Sequence, residues 1–427
     1  MSCCKIIGGS SVHGKVSING SKNAALPILA ATLLTGERCI LHNVPDLTDV
    51  ACVLEALKLL GAEVTQLQHD SWSIEAKQIT SDARDPIVSR LRASICLLGA
   101  LLGRKHQAAV ALPGGCKLGE RPIDLHLRTF EALGAKITTN KDSVIASADR
   151  LIGSEFSMLG KFGPTVTGTS NAILASVLAE GTTIIHHAAQ EPEIIALCQL
   201  LNQMGAKING IGSDTLTIEG VDQLHGTEFS ISQDRIEAGT FIILGLLCGE
   251  PVTIDNLSPE FVTQNFPGFF ESIPNAKKHC SWDGNLFHIS KINDLPAFDI
   301  RTAPFPGFPT DLQPQISILA SQAHGNCCIC DTVFPQRFAH APEFKKLGIK
   351  IHQHDNVLEI AGPCKLTGTN VVATDLRAAA ALYLAGIIAS GETTVHCADY
   401  IDRGYENFEA RLSQLGVKIQ RCSDENA

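Results

Sequence analysis

Five short segments carry residue types that could do chemistry. The first is Asn19-Gly20-Ser21-Lys22-Asn23-Ala24-Ala25, which runs into an apolar stretch. A lysine at a helix start adds a cation to a dipole end that already favours anions. A solvated surface lysine is the alternative. The second runs Leu112-Pro113-Gly114-Gly115-Cys116-Lys117-Leu118-Gly119-Glu120-Arg121-Pro122 and on to His126. Pro-Gly-Gly demands a tight turn or a loop, and Lys117 and Arg121 beside Cys116 favour a thiolate. A small buried cysteine is the competing reading. The third, Gly163 to Ser170, reads GPTVTGTS. It lacks the lysine of a nucleoside-triphosphate loop, so that reading fails. Its hydroxyls and backbone N–H groups could hold phosphate, or could simply cap a helix. In the fourth, Pro304 to Gln313, prolines stiffen the approach to Asp311. That aspartate suits an N-cap, the reading favoured by local sequence, or a rigidly aimed carboxylate base. The fifth is a set of arginines, Arg337, Arg377 and Arg403, at loop-to-element junctions of an acidic chain. They suit carboxylate or phosphate recognition, or structural pairing with neighbours such as Asp402.

Metal chemistry is weakly signalled. Cys327 and Cys330 form one C-x-x-C with no second pair at zinc spacing, and they occupy a strand slot. His186-His187 and His352-Gln353-His354 also fall in or beside strand slots, so no metal site is expected.

The elements that must position these residues form a repeat. The pattern apolar-Gly-small-polar-Val/Ile recurs at Gly61, Gly134, Gly205, Gly348 and Gly416, with spacings of 73, 71, 143 and 68. The long interval is about twice the others, which places a degenerate copy at Ser272 to Ala276. Each motif follows an apolar-periodic helix such as Val53 to Leu60, and its glycine suits the left-handed residue that ends a helix. A second motif, Gly followed by a β-branched strand, stands at Gly36, Gly181, Gly249, Gly325 and Gly391, each after a small-residue-rich helix. Six units of about 70 residues therefore fill the chain. The expected fold is α/β, with two lobes of three units and small-residue helices buried inside. Residues 22–232 form one lobe, residues 1–21 plus 233–427 the other, with a site in the cleft between them.

Composition narrows the function classes. The 427 residues carry 34 basic and 44 acidic side chains, a net charge of −10, which argues against a general nucleic-acid binder. Aromatics are 5%, so aliphatic residues must build the core. Fifteen cysteines cannot all pair, and the start MSCCKIIGG lacks a signal-peptide apolar region. The longest apolar runs, Ala93 to Gly103 and Ala378 to Ser390, are shorter than the roughly 18–20 residues that span a bilayer. A reducing cytoplasm with free thiols is expected, without membrane insertion.

Several segments together resemble the UDP-N-acetylglucosamine enolpyruvyltransferase family, within the EPSP synthase-like superfamily. They are SKNAALPILAATLL, LPGGCKLGERPIDLHL, LAEGTTII with QEPEII, DRIEAGTF, FPGFPTDLQ, and ATDLRAAAALYLAG with IDRGYE. The resemblance spans Gly14 to about Ile419. It implies a two-lobed inside-out α/β barrel of six copies. It also implies transfer of enolpyruvate from phosphoenolpyruvate to the 3-hydroxyl of UDP-N-acetylglucosamine, the first committed step of peptidoglycan synthesis in the bacterial cytoplasm. On this resemblance Lys22, Arg121 and Arg403 match phosphoenolpyruvate-binding cations, with Lys22 and Arg403 also counted as catalytic. Cys116 matches a loop cysteine that acts as general acid, serves product release and is the target of fosfomycin. Asp311 matches the carboxylate near the attacking hydroxyl. Asn23, Arg92, Arg121, Pro122, Ile123, Asp124, Leu125 and His126 match sugar-nucleotide contacts, and Thr165 and Val166 lie in the next nucleotide-side segment. Val333, Arg337, Asp375 and Arg377 match further substrate positions. No metal or organic cofactor is implied, no nucleic-acid or membrane partner, and a monomer or weak oligomer is expected. The chain departs from the family at KFGPTVTGTSN, residues 161–171, where a shorter S-V-G-A-T pattern is more usual. Transfer to shikimate 3-phosphate and an inactive UDP-sugar-binding paralogue are the alternatives.

Overall fold

The computed structural model describes residues 2–89, 92–112 and 123–423. The chain divides into two units, one of them assembled from the first residues and the second half of the chain. Of the described residues, 2–19 and 233–423 form one, the C-terminal unit, and 20–89, 92–112 and 123–232 form the other, the N-terminal unit. Each has its own hydrophobic core.

Both units are built alike, from three four-stranded sheets and three inner helices. One sheet shows the pattern. Its strands lie in the order Glu228–Ser230, Arg38–His42, Ser71–Glu75, Glu63–Gln68. The first pair is parallel, with Phe229 opposite Leu41; the other two are antiparallel. In the strand Arg38–His42, Cys39 and Leu41 are buried and Arg38 is exposed, the alternation of a sheet with one face on the core. The parallel edge strand comes from the last copy of the unit, so the copies close on themselves. In the C-terminal unit the chain's own start does this: Ser2–Ile7 lies between Glu392–His396 and Lys418–Ser423, and Val12–Val16 pairs with Gly249–Ile254.

The inner helices of the N-terminal unit are Lys22–Ala31, Cys96–Lys105 and Val166–Ser176. Those of the C-terminal unit are Arg235–Cys248, Gln313–Ala320 and Leu376–Ile388. They are buried on nearly every face, as helices without a polar side must be. Small residues permit the approach: a Cβ on Gly99 would lie 2.6 Å from the Asn171 carbonyl oxygen, and one on Gly103 would lie 2.8 Å from that of Leu174. The two apolar runs of the sequence are thus inner helices, and no helix among the described residues is long and apolar enough to cross a membrane.

The helix-ending glycines behave as expected, with φ between 88° and 100° at Gly61, Gly134, Gly205, Gly348 and Gly416. In the degenerate copy Asn275 takes the left-handed role, with φ of 65°, and a 3-10 turn Ala276–His279 precedes the strand. Asparagine tolerates this conformation better than other side-chain-bearing residues. Each outer helix is followed by a two-strand hairpin, as in Glu63–Gln68 and Ser71–Glu75, which supplies part of the further strands expected between the units of the repeat.

Candidate active site

In the N-terminal unit Lys22 opens an inner helix whose cap is Ser21, its Oγ accepting from the Ala24 N–H at 3.3 Å. The Lys22 side chain is not solvated. Only 11% exposed, it reaches Asp49 Oδ2 at 3.2 Å from the first turn of the helix Thr48–Leu59. Asn23 follows on the same helix, half-buried. Arg92 begins a 3-10 turn, Arg92–Ile95, that leads into the second inner helix. Cys116, Arg121 and Pro122 lie outside the described residues.

Ile123 precedes the helix Asp124–Ala132; Asp124 is exposed, Leu125 half-buried and His126 buried. His126 meets Asn171, whose orientation is fixed by its other contacts. The Asn171 Oδ1 accepts from the Gly99 N–H at 3.0 Å, so Nδ2 is the end that donates to the Ile95 carbonyl at 2.8 Å. The same Nδ2 lies 2.8 Å from His126 Nδ1. That nitrogen must therefore accept, which places the imidazole proton on Nε2, facing Thr167 Oγ1 at 3.5 Å. Asn171 was not singled out in the sequence as a site residue; its signal is an asparagine in the middle of a helix that is buried along most of its length. Thr165 caps that helix, accepting from the Gly168 N–H at 3.3 Å, and Val166 is its first residue.

In the C-terminal unit the distant arginines converge. Asp311 Oδ1 accepts from Arg337 Nη1 at 2.7 Å and Oδ2 from Arg377 Nη2 at 2.6 Å. Both arginine side chains are 4% exposed and Asp311 is 25% exposed. The expectation that Asp311 caps a helix is corrected here. It lies inside the 3-10 turn Thr310–Leu312, and the following helix Gln313–Ala320 has no side-chain cap. Burial opposes the Asp311 charge, but Arg377 and Arg337 outweigh it and hold the carboxyl well below the usual carboxylate range. Burial likewise opposes the Arg377 charge, and Asp311 more than offsets it, so Arg377 stays a cation.

Around this centre sit residues that aim it. Asp331 is fully buried and accepts from Thr302, Thr310 and the N–H groups of Val333 and Phe334, at 2.7–3.0 Å. It thereby shapes the turn that carries Val333 and leads to Arg337, whose guanidinium lies 5.6 Å from the Phe334 ring centre. Asp375 is an N-cap: its Oδ1 accepts from the Arg377 and Ala378 N–H groups at 2.8 and 3.2 Å. The Arg377 guanidinium lies 5.9 Å from the Tyr405 ring centre. Tyr405 is buried, its hydroxyl 2.9 Å from Thr240 Oγ1 and 3.2 Å from Gln315 Nε2. Arg403, half-buried, ends the 3-10 turn Ala398–Arg403 two residues earlier. Its neighbour Asp402 bonds to Arg421, so the Asp402 carboxylate is engaged from a different strand. Sequence reading missed Asp331, Tyr405 and Arg421, since each acts through partners far along the chain.

The described cysteines form no disulfide with one another, and burial pushes the thiols of Cys4, Cys96, Cys198, Cys248 and Cys280 up to about 12. These are poor thiolates at neutral pH. Cys327 and Cys330 lie on the strand Gly325–Asp331, and no metal-holding group of three His, Cys, Asp or Glu occurs among the described residues.

Known proteins resemble this chain closely. The EPSP synthase (3-phosphoshikimate 1-carboxyvinyltransferase) family model matches residues 6–412. The UDP-N-acetylglucosamine 1-carboxyvinyltransferase of Methylacidiphilum infernorum is 44% identical over 416 residues, 97% of this chain and 98% of its own. That of Dichelobacter nodosus is 42% identical, covering 98% of this chain and 99% of its own. Among solved structures, the enolpyruvyl transferase NikO from Streptomyces tendae superposes with a TM-score of 0.88 at 26% identity, covering 99% of each chain. EPSP synthase from Acinetobacter baumannii shares the fold, with a TM-score of 0.75 at 18% identity over 99% of this chain and 100% of that one. With identity of this order running along nearly the whole chain, and the two-unit fold in common, this chain belongs to the UDP-N-acetylglucosamine 1-carboxyvinyltransferase family.

Proposed function

We propose that the chain transfers the enolpyruvyl group of phosphoenolpyruvate to the 3-hydroxyl of UDP-N-acetylglucosamine, releasing inorganic phosphate, the first committed step of peptidoglycan synthesis. The observation that carries the reading is the Arg337–Asp311–Arg377 constellation, a carboxylate held between two buried guanidiniums. Phosphoenolpyruvate brings a carboxylate and a phosphate, so several cations must serve it. Lys22, Arg121 and Arg403 take that role, and the activity draws on residues of both units.

The reaction is an addition followed by an elimination. C3 of phosphoenolpyruvate gains a proton, with Cys116 as general acid, and positive charge develops at C2. The sugar 3-oxygen bonds to C2 and its proton passes to a base. Phosphate then leaves C2 and C3 gives up a proton, which restores the double bond. Asp311 is the carboxylate closest in kind to the need, yet two arginines make it a weak base in the unliganded protein. Its first contribution is electrostatic, a fixed negative charge beside the developing positive one. Its basicity rises once Arg337 or Arg377 turns toward the substrate's anionic groups. Ile123 to His126 with Asn23, Arg92, Pro122, Thr165 and Val166 serve the sugar nucleotide; Val333 and Asp375 complete the substrate surroundings. The setting is the bacterial cytoplasm, where nucleotide-activated sugars and phosphoenolpyruvate are made, with the chain acting as a monomer or weak oligomer.

The test is phosphate release from phosphoenolpyruvate. Release is expected with UDP-N-acetylglucosamine and not with shikimate 3-phosphate, and fosfomycin should stop it by labelling Cys116. The Cys116→Ala chain should escape labelling. Turnover with shikimate 3-phosphate alone, or full labelling elsewhere in the variant, would overturn the reading.

A further inference from the structure

Arg403 sits on a turn whose neighbours are tied down by a chain of polar groups outside the Asp311 centre. The strand Lys418–Ser423 contributes Arg421, opposite Cys4 in the sheet. Its Nη1 donates to both oxygens of Asp402, at 2.8 and 2.7 Å. Its Nη2 and Nε donate to Glu409 Oε1 at 2.7 and 3.1 Å, and Nη2 also reaches the Ala398 carbonyl at 3.4 Å. The same Glu409 oxygen accepts from the buried Tyr383 hydroxyl at 2.7 Å. One guanidinium thus grips both ends of the turn Ala398–Arg403, and Glu409 ties it to the helix Leu376–Ile388, which also carries Arg377.

Stability alone is a weak reason for this chain of contacts. Arg421 and Asp402 are 32% and 40% exposed, and pairs of that kind contribute about 0–1 kcal/mol. Geometry is the stronger reason. The turn is gripped at Ala398 and Asp402 from one side, while Tyr405 anchors the following residue pair in the core through Thr240 and Gln315. Arg403 is the residue between these two anchors.

We propose that Arg421, through the Asp402–Arg421–Glu409–Tyr383 chain, is a positioning residue that fixes Arg403 and links its placement to the helix bearing Arg377. The proposal rests on the reading of Arg403 as a cation for phosphoenolpyruvate. Burial, together with the neighbouring Cys4 and Glu409, keeps the Tyr383 phenol protonated, in line with its role as donor.

The experiment compares the full chain with Arg421→Met, Arg421→Lys, Asp402→Asn and, as a packing control, Leu412→Ala. Two readouts are taken: steady-state kinetics with both substrates, and amide hydrogen exchange across residues 398–404. For Arg421→Met we expect a rise in KM for phosphoenolpyruvate of about tenfold, with KM for UDP-N-acetylglucosamine nearly unchanged, as loss of preorganisation predicts. Exchange across 398–404 should quicken by a similar factor. Asp402→Asn should reproduce the pattern, and Arg421→Lys should recover part of it, since an ammonium cannot fork between two carboxylates. Leu412→Ala should lower Tm and leave both KM values in place. Unchanged exchange across 398–404 in Arg421→Met, or a KM rise shared equally by both substrates or by Leu412→Ala, would overturn the assignment. If the unaltered chain fails to turn over phosphoenolpyruvate, the proposed function falls, and exchange across the turn still decides the role of Arg421.

Discussion

Each unit presents the start of an inner helix three times, and the two units finish it with different chemistry. In the N-terminal unit the capping side chains are the hydroxyls of Ser21 and Thr165. In the C-terminal unit they are the carboxylates of Asp234 and Asp375. The third inner helix of each unit, preceded by Ile95 or Leu312, has no side-chain cap. A hydroxyl satisfies backbone N–H groups and leaves the positive end of the helix dipole to act on its surroundings; a carboxylate satisfies the same groups and neutralises it. The C-terminal unit cancels two of its three helix ends and supplies positive charge as discrete guanidiniums, Arg337 and Arg377. The N-terminal unit keeps its helix ends electropositive and surrounds them with Lys22 and the neutral His126–Asn171 pair. The same scaffold is thus tuned two ways: carboxylate caps with two guanidiniums sharing one aspartate in the C-terminal unit, hydroxyl caps with a lysine–aspartate pair and a histidine–asparagine hydrogen bond in the N-terminal unit.

The largest effect should come from breaking the paired charges. Asp311→Ala leaves two buried guanidiniums facing each other without their shared anion. Removing one partner of a buried pair costs about 3–5 kcal/mol, and loss of an aimed electrostatic group costs turnover on the order of 100- to 1000-fold. Urea unfolding and phosphate-release kinetics measure the two losses. Lys22→Met, which breaks the Lys22–Asp49 contact in the other unit, should cost less stability. A variant at Asp311 that unfolds at the parent's urea midpoint would remove the claimed difference between the units.

The C-terminal unit also holds a buried histidine that should make it sensitive to acid. His340 is fully buried beside Arg337 and Asp375, and neither of its ring nitrogens has a hydrogen-bond partner among the described residues. Burial, reinforced by Arg337 and only partly countered by Asp375, lowers its pKa to about 4. The folded state therefore binds this proton less readily than the unfolded chain. The stability involved is fully present above pH 6.5 and is lost as the pH falls from there toward 4, by roughly 3 kcal/mol. Asp311, also depressed, adds a further loss only below the ordinary carboxylate range. His340→Leu should flatten the decline between pH 6.5 and 4, read from urea midpoints across that window. An unchanged slope would place the acid sensitivity elsewhere and weaken the contrast with His126, which Asn171 satisfies.

How much of this is legible in the sequence follows from the range of the interactions. The six copies show because a helix end needs a left-handed residue at a fixed place, and even the degenerate copy keeps one in Asn275. Caps at Ser21 and Thr165 are local and could be anticipated. The Asp311 centre could not be read locally. Pro-Thr-Asp before a helix is also how a cap looks, and only folding brings in Arg337 and Arg377 from 26 and 66 residues away. The arginines stand out by type and by their place at element junctions of an acidic chain, but nothing near them shows that two of them meet on Asp311. Asp331, Tyr405 and Arg421 stayed hidden for the same reason, since nothing near them in the chain reveals what they hold.

The smallest expected effect is the sharpest probe of the comparison. Thr165→Asp converts a cap of the N-terminal unit to the type used by the C-terminal unit. Aspartate caps at least as well as threonine, so Tm should hold, with stability within about 1 kcal/mol of the parent. The new negative charge sits at a helix start that, on the proposed function, serves the sugar nucleotide's anionic side. KM for UDP-N-acetylglucosamine should then rise about three- to tenfold, the scale of about 1 kcal/mol for a charge at a helix end. Steric change at Thr165 could mimic this, and salt separates the two. A charge effect between partly exposed groups shrinks as ionic strength rises, whereas a lost contact does not. Thr165→Ser, which keeps a neutral cap, should behave as the parent. If Thr165→Asp and Thr165→Ser show the same KM at low salt, the hydroxyl caps have no electrostatic purpose, and the difference between the units reduces to their arginines.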